Sequence, residues 1–217
     1  MRYAAVFLGL FFFFTEQARA QQEDVFRYPL APQTAEAFNA ACLRIAEHQY
    51  IRGNFEQEKM ITRLNRSLKS SGNFLIAAKL GMVWDTAVPF PSTMVLGSDF
   101  IIQSRPGGQR TVLSAQGNET FLRMAEVIST VFSGNAQGLV NNFNVYFSGS
   151  ASSWEIGLTP TDKAINSFAE KIIMKGDAVI RSIIIIEQNG DSIKYILTNH
   201  SFPAGLNINE QAFFSTP

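Results

Sequence analysis

From Gly53 onward the chain is made of short runs in which apolar and polar residues alternate, separated by Gly, Pro, Asn and Ser. Alternation with a period of two is typical of half-buried β-strands, and the turn residues between the runs indicate antiparallel hairpins. We predict hairpin turns at Arg105–Gly108 and at Asn189-Gly190. The predicted strands are 53–63, 70–78, 81–86, 93–97, 99–105, 110–115, 144–148, 154–159, 179–187 and 192–199.

Two segments carry helical spacing instead. Thr34 is the predicted N-cap of a helix that ends near Gly53, after a loose lead at 21–33. A second helix is predicted from Asn118 to Ser133, with a broad apolar face, and a short turn at 136–140 follows it. Residues 164–174 fit a helix or a strand, and the surrounding meander favours a strand.

These elements define an α+β fold. A sheet of about 10–11 antiparallel strands with this much apolar content cannot leave one face exposed to water. We therefore expect a curved antiparallel sheet, an incomplete barrel, with the helices forming a lid over its open side and enclosing a hydrophobic cavity.

The first twenty residues have the pattern of a secretory signal. Arg2 supplies the positive charge, Ala4–Phe14 is an apolar run, and Ala18-Arg19-Ala20 is an A-x-A cleavage site. The apolar run is shorter than the ~20 residues that a membrane span needs. The sequence thus predicts a signal peptide at 1–20 that is cleaved after Ala20, and one exported domain at 21–217.

Composition and motif content exclude several classes of function and of site. Loss of the leader leaves 16 basic and 17 acidic residues, a balance that gives no reason to expect nucleic acid. Cys42 is the only cysteine, so no intrachain disulfide can form, and its helical context predicts a buried small hydrophobe. His48 and His200 lack metal-ligand spacing, and we expect surface or singly hydrogen-bonded histidines. With neither a G-x-S-x-G elbow nor a phosphate loop, the chain is predicted to be no enzyme and to need no cofactor or metal.

The candidate site is apolar. Each of several strands carries one large aromatic residue, and the second helix has a broad apolar face. These features suggest a surface that encloses an apolar ligand, although ordinary core packing would use the same residues. The candidate cavity and lid residues are Phe38, Phe55, Phe74, Trp84, Phe121, Met124, Ile128 and Phe132.

The order of landmarks along the strands resembles that of the LolA family, the periplasmic carriers of outer-membrane lipoproteins. The landmarks are Gly53-Asn54-Phe55-Glu56-Gln57, Ser70-Ser71-Gly72, Trp84 and Pro89, followed by Ser98-Asp99, Leu158-Thr159-Pro160 and Glu187-Gln188-Asn189-Gly190-Asp191. The resemblance implies a half-barrel whose cavity receives acyl chains. It also implies a monomer that takes lipoprotein or acylated lipid from an inner-membrane transporter to an outer-membrane acceptor.

The chain departs from the family pattern before Trp84. The family has an Arg-Pro pair tied to cargo transfer, whereas this chain reads Ala77-Ala78-Lys79-Leu80-Gly81, which makes Lys79 the candidate transfer cation. Two alternatives to lipoprotein transport stay open. One is a periplasmic lipid-binding accessory of a glycolipid or polyene exporter, and the other is a lipid-sensing regulatory module.

Overall fold

The structure is a computed structural model that describes residues 24–97, 100–108, 110–114 and 119–215, apart from the side chains of 113, 114 and 119–124. The predicted leader, the Ser98-Asp99 landmark and the predicted helix start at Asn118 lie outside the described residues. The strands are β1 Tyr50–Ile61, β2 Arg66–Ala77, β3 Gly81–Val88, β4 Ser92–Leu96, β5 Phe100–Ser104, β6 Thr111–Ser114, β7 Phe143–Ser150, β8 Ser153–Pro160, β9 Lys171–Gly176, β10 Ile180–Ile186 and β11 Ser192–Ser201. The helices are α1 Pro32–Ile45, α2 Glu119–Phe132, α3 Ala136–Asn142, α4 Lys163–Asn166 and α5 Ile208–Phe214, with 3-10 turns at Val25–Arg27 and Thr62–Leu64.

The strands form one antiparallel sheet in the order β6-β5-β4-β3-β2-β1-β11-β10-β9-β8-β7. Two meanders, β1–β6 and β7–β11, join at the centre through β1 and β11, the first and last strands of the chain. The sheet is not closed, since β6 and β7 stand at opposite edges. The predicted α+β fold with an open antiparallel sheet is therefore confirmed, as are the hairpins β5–β6 and β10–β11.

The predicted boundaries of the first helix are wrong at both ends. Ala31 is the N-cap and Pro32, whose ring fixes a helical φ, is the first residue, so Thr34 lies in the first turn and its hydroxyl accepts from the N–H of Ala31 at 3.2 Å. The helix ends at Ile45, and Gly53 lies within β1. Gly53 serves close packing rather than a cap, because a Cβ there would lie 2.6 Å from ring carbons of Phe74.

The strand predicted at 164–174 is wrong in its first half. Asp162 caps α4 by accepting from the backbone N–H groups of Ala164 at 2.7 Å and Ile165 at 3.2 Å, and the chain becomes extended only at Lys171. A local side-chain cap thus outweighs the surrounding strand pattern. Helix α5 was not predicted from the sequence.

Both faces of the sheet carry a buried apolar cluster. The inner face, which we define as the face against α1–α4, carries the main core, to which α1 contributes Phe38 and α2 contributes Val127 and Val131. The outer face carries a smaller cluster that is packed against Phe214 of α5. Members of the outer cluster are Leu75, Val83, Val95 and Ile102, with Phe100, Leu206 and Phe214 against them. None of the described helices is both long and apolar enough to span a bilayer.

Candidate functional site

A stack of aromatic side chains fills the centre of the inner face. Phe55, Phe74 and Trp84 lie on the neighbouring strands β1, β2 and β3 and are all buried. The Phe55 and Trp84 ring centroids are 4.2 Å apart, those of Phe74 and Trp84 are 5.9 Å apart, and Tyr195 meets Trp84 edge-on at 5.2 Å. Burial, assisted by the charge of Glu187, raises the pKa of Tyr195 to about 12, so its hydroxyl stays neutral.

Helix α1 packs on the other half of the inner face. Phe38 is fully buried and meets Phe147 of β7 edge-on at 5.8 Å. Cys42, one turn further along α1, is buried as expected, and that burial raises the pKa of its thiol to about 12. The thiol is therefore a neutral packing group rather than a nucleophile.

Between α2 and the end of the sheet lies a pocket of about 360 Å³. Its floor is Ile76 of β2, Met82 of β3 and Leu96 of β4, which are buried. Ile76 and Met82 share the inner face with Phe74 and Trp84 because residues two apart on a strand point the same way. Ile128 and Phe132 of α2, one helical turn apart, form the roof. The volume lies in the range of small-molecule sites, and the floor and roof are apolar, with the thioether of Met82 among hydrocarbon side chains.

The mouth of this pocket, which we define by its exposed lining residues, is Lys79, Leu80, Glu126 and Ser129. The β2–β3 turn that carries Lys79 is held by backbone hydrogen bonds from Ala78 N to Gln49 O at 3.0 Å and from Leu80 N to Ala77 O at 2.9 Å. Among the described residues no ion-pair partner of Lys79 lies within 4.0 Å. The ammonium group is therefore available to a ligand at the mouth.

A small gap of about 10 Å³ lies behind the pocket, and Ile76 and Phe132 separate the two. His200 borders this gap. Strand β11 is irregular there, since Arg52 pairs with Ser201 but Asn54 pairs with Thr198, and Asn199 has a φ of 52°.

His200 is half-buried rather than on the surface, and both ring nitrogens have neighbours. Nε2 lies 3.2 Å from the Ile180 carbonyl, and Nδ1 lies 3.3 Å from the Arg181 guanidinium. Burial, followed by the charge of Arg181, lowers the pKa of His200. His48 stacks on Phe202 with ring centroids 3.7 Å apart. Across the part of the chain that the structure describes, no group of three or more His, Cys, Asp or Glu side chains is placed to hold a metal ion.

The structure divides the predicted site residues into three groups. Ile128, Phe132 and Lys79 meet at the pocket. Phe55, Phe74 and Trp84 form the adjoining aromatic stack. Phe38 belongs to neither group, because it lies between α1 and β7 and packs against Phe147. The side chains of Phe121 and Met124 lie outside the described residues.

Sequence reasoning missed the floor of the pocket. Ile76, Met82 and Leu96 were assigned to strands but not to a site, since each looks like any inward strand residue. One signal was present: Ile76 follows Phe74 by two residues and Met82 precedes Trp84 by two. Residues two away from a candidate lining residue share its face and belong to the candidate set.

Comparison with protein-family models finds no match, and comparison with curated proteins finds none either. Among solved structures, the chain is similar to a LolA superfamily protein from Nitrosomonas europaea, with a TM-score of 0.48 and 9% identity over 84% of this chain and 97% of that one. A lipoprotein-sorting protein domain from Vibrio parahaemolyticus gives a TM-score of 0.42 and 11% identity over 84% of this chain and 100% of that one. The MucA/MucB complex from Pseudomonas aeruginosa gives 0.46 and 9% over 82% of this chain and 59% of that one.

These likenesses are distant, and none of them assigns a ligand to this chain. Two of the three structures bear the name of the LolA superfamily or of lipoprotein sorting.

Proposed function

We propose that this protein binds acyl chains of lipoproteins or acylated lipids in the pocket beneath α2 and escorts them through the periplasm toward the outer membrane. The observation that carries the proposal is a pocket of about 360 Å³ with an apolar floor and roof and, at its mouth, the ammonium group of Lys79, which has no ion-pair partner among the described residues. Each buried methylene of an acyl chain contributes about 0.8 kcal/mol, so shape and apolarity suffice for retention.

Helix α2 is the proposed lid. Its buried residues Val127 and Val131 hold it on the core, while Ile128 and Phe132 are only partly buried and face the pocket. Displacing Phe132, which lines both spaces together with Ile76, would open the pocket toward the gap beside His200. A chain longer than the pocket would thus enter by moving one side chain of the lid, and a receptor would release it by favouring the open lid.

Lys79 is the proposed contact for an anionic group at the ligand head. An ammonium is a compact point charge that attracts a phosphate or carboxylate without fixing its orientation.

We propose an inner-membrane transporter as donor of the cargo and an outer-membrane protein as its acceptor. We also propose that the predicted leader directs export and is removed after Ala20, so mature protein from a periplasmic extract should begin at Gln21; an uncleaved chain would contradict this.

The test compares aspartate substitutions on α1 and α2, with a fluorescent fatty acid as probe and the urea midpoint as measure of stability. Ile128→Asp should abolish saturable probe uptake and nearly keep the midpoint, because the carboxylate can open toward solvent at the mouth. Val131→Asp should lose both, because Val131 is buried in the core. Leu43→Asp, on the exposed side of α1, should lose neither.

Two results would reject the proposal: delipidated wild-type protein that takes up no probe, or Ile128→Asp protein that binds like the wild type. Native mass spectrometry of protein purified from the periplasm identifies the cargo. A lipopeptide supports lipoprotein transport, and a glycolipid supports the exporter accessory.

A further inference from the structure

The hairpin of β1 and β2 extends beyond β3 at the end of the sheet opposite the pocket, while β1 stays paired with β11 as far as Met60. β2 pairs with β3 only from Ser71 onward, so residues 66–70 extend past their neighbour on that side. The projection is braced: the N–H of Thr62 donates to Asp191 at 2.9 Å, and the Thr62 hydroxyl donates to the Gly190 carbonyl at 2.6 Å. These hydrogen bonds fix the end of the hairpin to the β10–β11 turn. We define the tip as residues 60–69.

The tip exposes large apolar side chains. Leu64 is 53% exposed and Leu68 is 57% exposed, with Met60 beside them at 37%. The described part of the chain therefore leaves more than half of the Leu64 and Leu68 side chains open to solvent. Exposed apolar residues that cluster at one place mark a surface that meets a partner or a membrane.

The same tip carries an excess of positive charge, although the whole chain is neutral. Arg63 and Arg66 have no ion-pair partner within 4.0 Å among the described residues. The nearby acids are already engaged: Glu58 lies 3.9 Å from Lys69, Glu187 lies 2.9 Å from Lys59, and Asp191 is buried and accepts from Thr62. The unpaired charge at the tip is thus cationic.

We propose that this tip docks the protein on the surface of an anionic lipid bilayer. Leucine side chains partition into the boundary between headgroups and acyl chains, while arginines extend to lipid phosphates. Neither signal alone holds a protein on a membrane, but apolar insertion and charge together give reversible binding. The charge complementarity favours a lipid surface rich in phosphatidylglycerol or cardiolipin over a neutral one.

This docking does not rest on the proposed carrier function. β2 has 12 residues, which at about 3.3 Å each place Arg66 and Ala77 roughly 36 Å apart. A protein docked by the tip would therefore hold the mouth at Lys79 away from the bilayer, where a soluble or membrane-bound partner can reach it. Docking and pocket loading are then separable in experiment.

The experiment uses the mature chain, residues 21–217, in co-sedimentation with phosphatidylglycerol/phosphatidylcholine vesicles and with pure phosphatidylcholine vesicles. Wild-type protein should pellet with the anionic vesicles and much less with neutral ones, and high salt should weaken the binding. Leu64→Ser/Leu68→Ser and Arg63→Ser/Arg66→Ser should each reduce the partition coefficient about tenfold or more. Leu43→Ser, an exposed leucine on α1, is the matched control and should change nothing.

A site-specific label locates the contact. Leu64→Cys can be labelled with an environment-sensitive fluorophore while Cys42, buried and with a raised pKa, stays unreacted in the folded protein. The emission should shift to the blue on anionic vesicles, and a label at Leu43→Cys should not shift. The proposal is overturned by absent or charge-independent sedimentation, or by tip variants that bind like the wild type. Fatty-acid uptake in the tip variants should be unchanged, which distinguishes failure of docking from failure of the carrier proposal.

Discussion

The inner and outer faces of β2, β3 and β4 are both apolar but are covered in different ways. On β2, the consecutive residues Phe74, Leu75, Ile76 and Ala77 are all buried, so neither face meets water. The inner face is filled by a stack of aromatic rings and by α2, which leaves a pocket at one end. The outer face is covered by the short α5 and by Leu206, and it forms a separate cluster.

The comparison shows that continuous burial along a strand does not by itself identify a binding face. The inner covering is long and built from several elements, so one part can be open while the rest holds the fold. The outer covering is small and is held in place by the side chain of Glu210. This carboxylate accepts two hydrogen bonds at 2.6 Å from Arg52. It also caps α5 by accepting from the N–H of Asn207 at 2.8 Å. The proposed ligand binding therefore belongs to the inner face, and we expect a structural role for the outer one.

The largest effect is expected at the aromatic stack. Trp84→Ala should lower the free energy of unfolding by about 3–5 kcal/mol, because it removes contacts with Phe55, Phe74 and Tyr195 and leaves a cavity. The neighbouring outer-face change Val83→Ala should cost less, about 1–2 kcal/mol. Urea unfolding of both variants measures the difference, and equal losses would remove the distinction between the faces.

Removal of α5 should have the next largest effect. Truncation after Gly205 exposes the outer cluster and should cost about 2–3 kcal/mol, with increased binding of the dye ANS and an unchanged strand signal in circular dichroism. Fatty-acid uptake should persist. Ile208→Ala is the control, since Ile208 is 84% exposed and its loss should leave the urea midpoint unchanged. Collapse of the whole sheet on truncation would show that the outer cover is not separable.

A smaller effect is expected from the ion pair that holds α5. The side-chain hydrogen bonds from Arg52 lower the pKa of Glu210 below its usual value of 4.5, so the pair stabilises the fold at neutral pH and that stabilisation is lost as the pH falls through the lowered pKa. Glu210→Gln should cost less than about 1 kcal/mol at pH 7, since Arg52 is partly exposed, and should flatten the stability profile below pH 4.5. A variant with an unchanged acid profile would contradict this role.

The smallest effect is expected at His200, the half-buried imidazole beside the inner gap. Burial and the neighbouring Arg181 lower its pKa from 6.5, with Asp177 partly offsetting Arg181. The folded protein thus favours the neutral ring, and stability should fall as the pH drops below 6.5 and through the lowered pKa. His200→Gln should remove this slope while leaving the Glu210 region of the profile intact. Urea midpoints between pH 7 and 5 measure it, and an unchanged slope would assign the pH dependence to another group.

Local sequence signals predicted most of the strands because alternation and turn residues act over a few positions. Asn189-Gly190 correctly marked the β10–β11 hairpin, and the burial of Cys42 followed from its helical neighbours. The errors have local causes of a different kind: Pro32 started α1 before Thr34, and the carboxylate of Asp162 capped α4 inside a predicted strand. Both caps could be found by weighing start signals before periodicity.

The sequence by itself determined that this chain forms an open antiparallel sheet with helices on it, and that its candidate site is apolar. Only the tertiary structure decided which apolar residues face a pocket. Phe74 and Ile128 are both apolar residues on predicted inward faces, and the sequence makes both candidate lining residues. In the structure Phe74 packs against Trp84, whereas Ile128 borders the pocket. The reason is that burial along a strand or helix reports only that something covers a residue. What covers it depends on α2 and α5, which come from distant parts of the chain and whose positions no local pattern encodes.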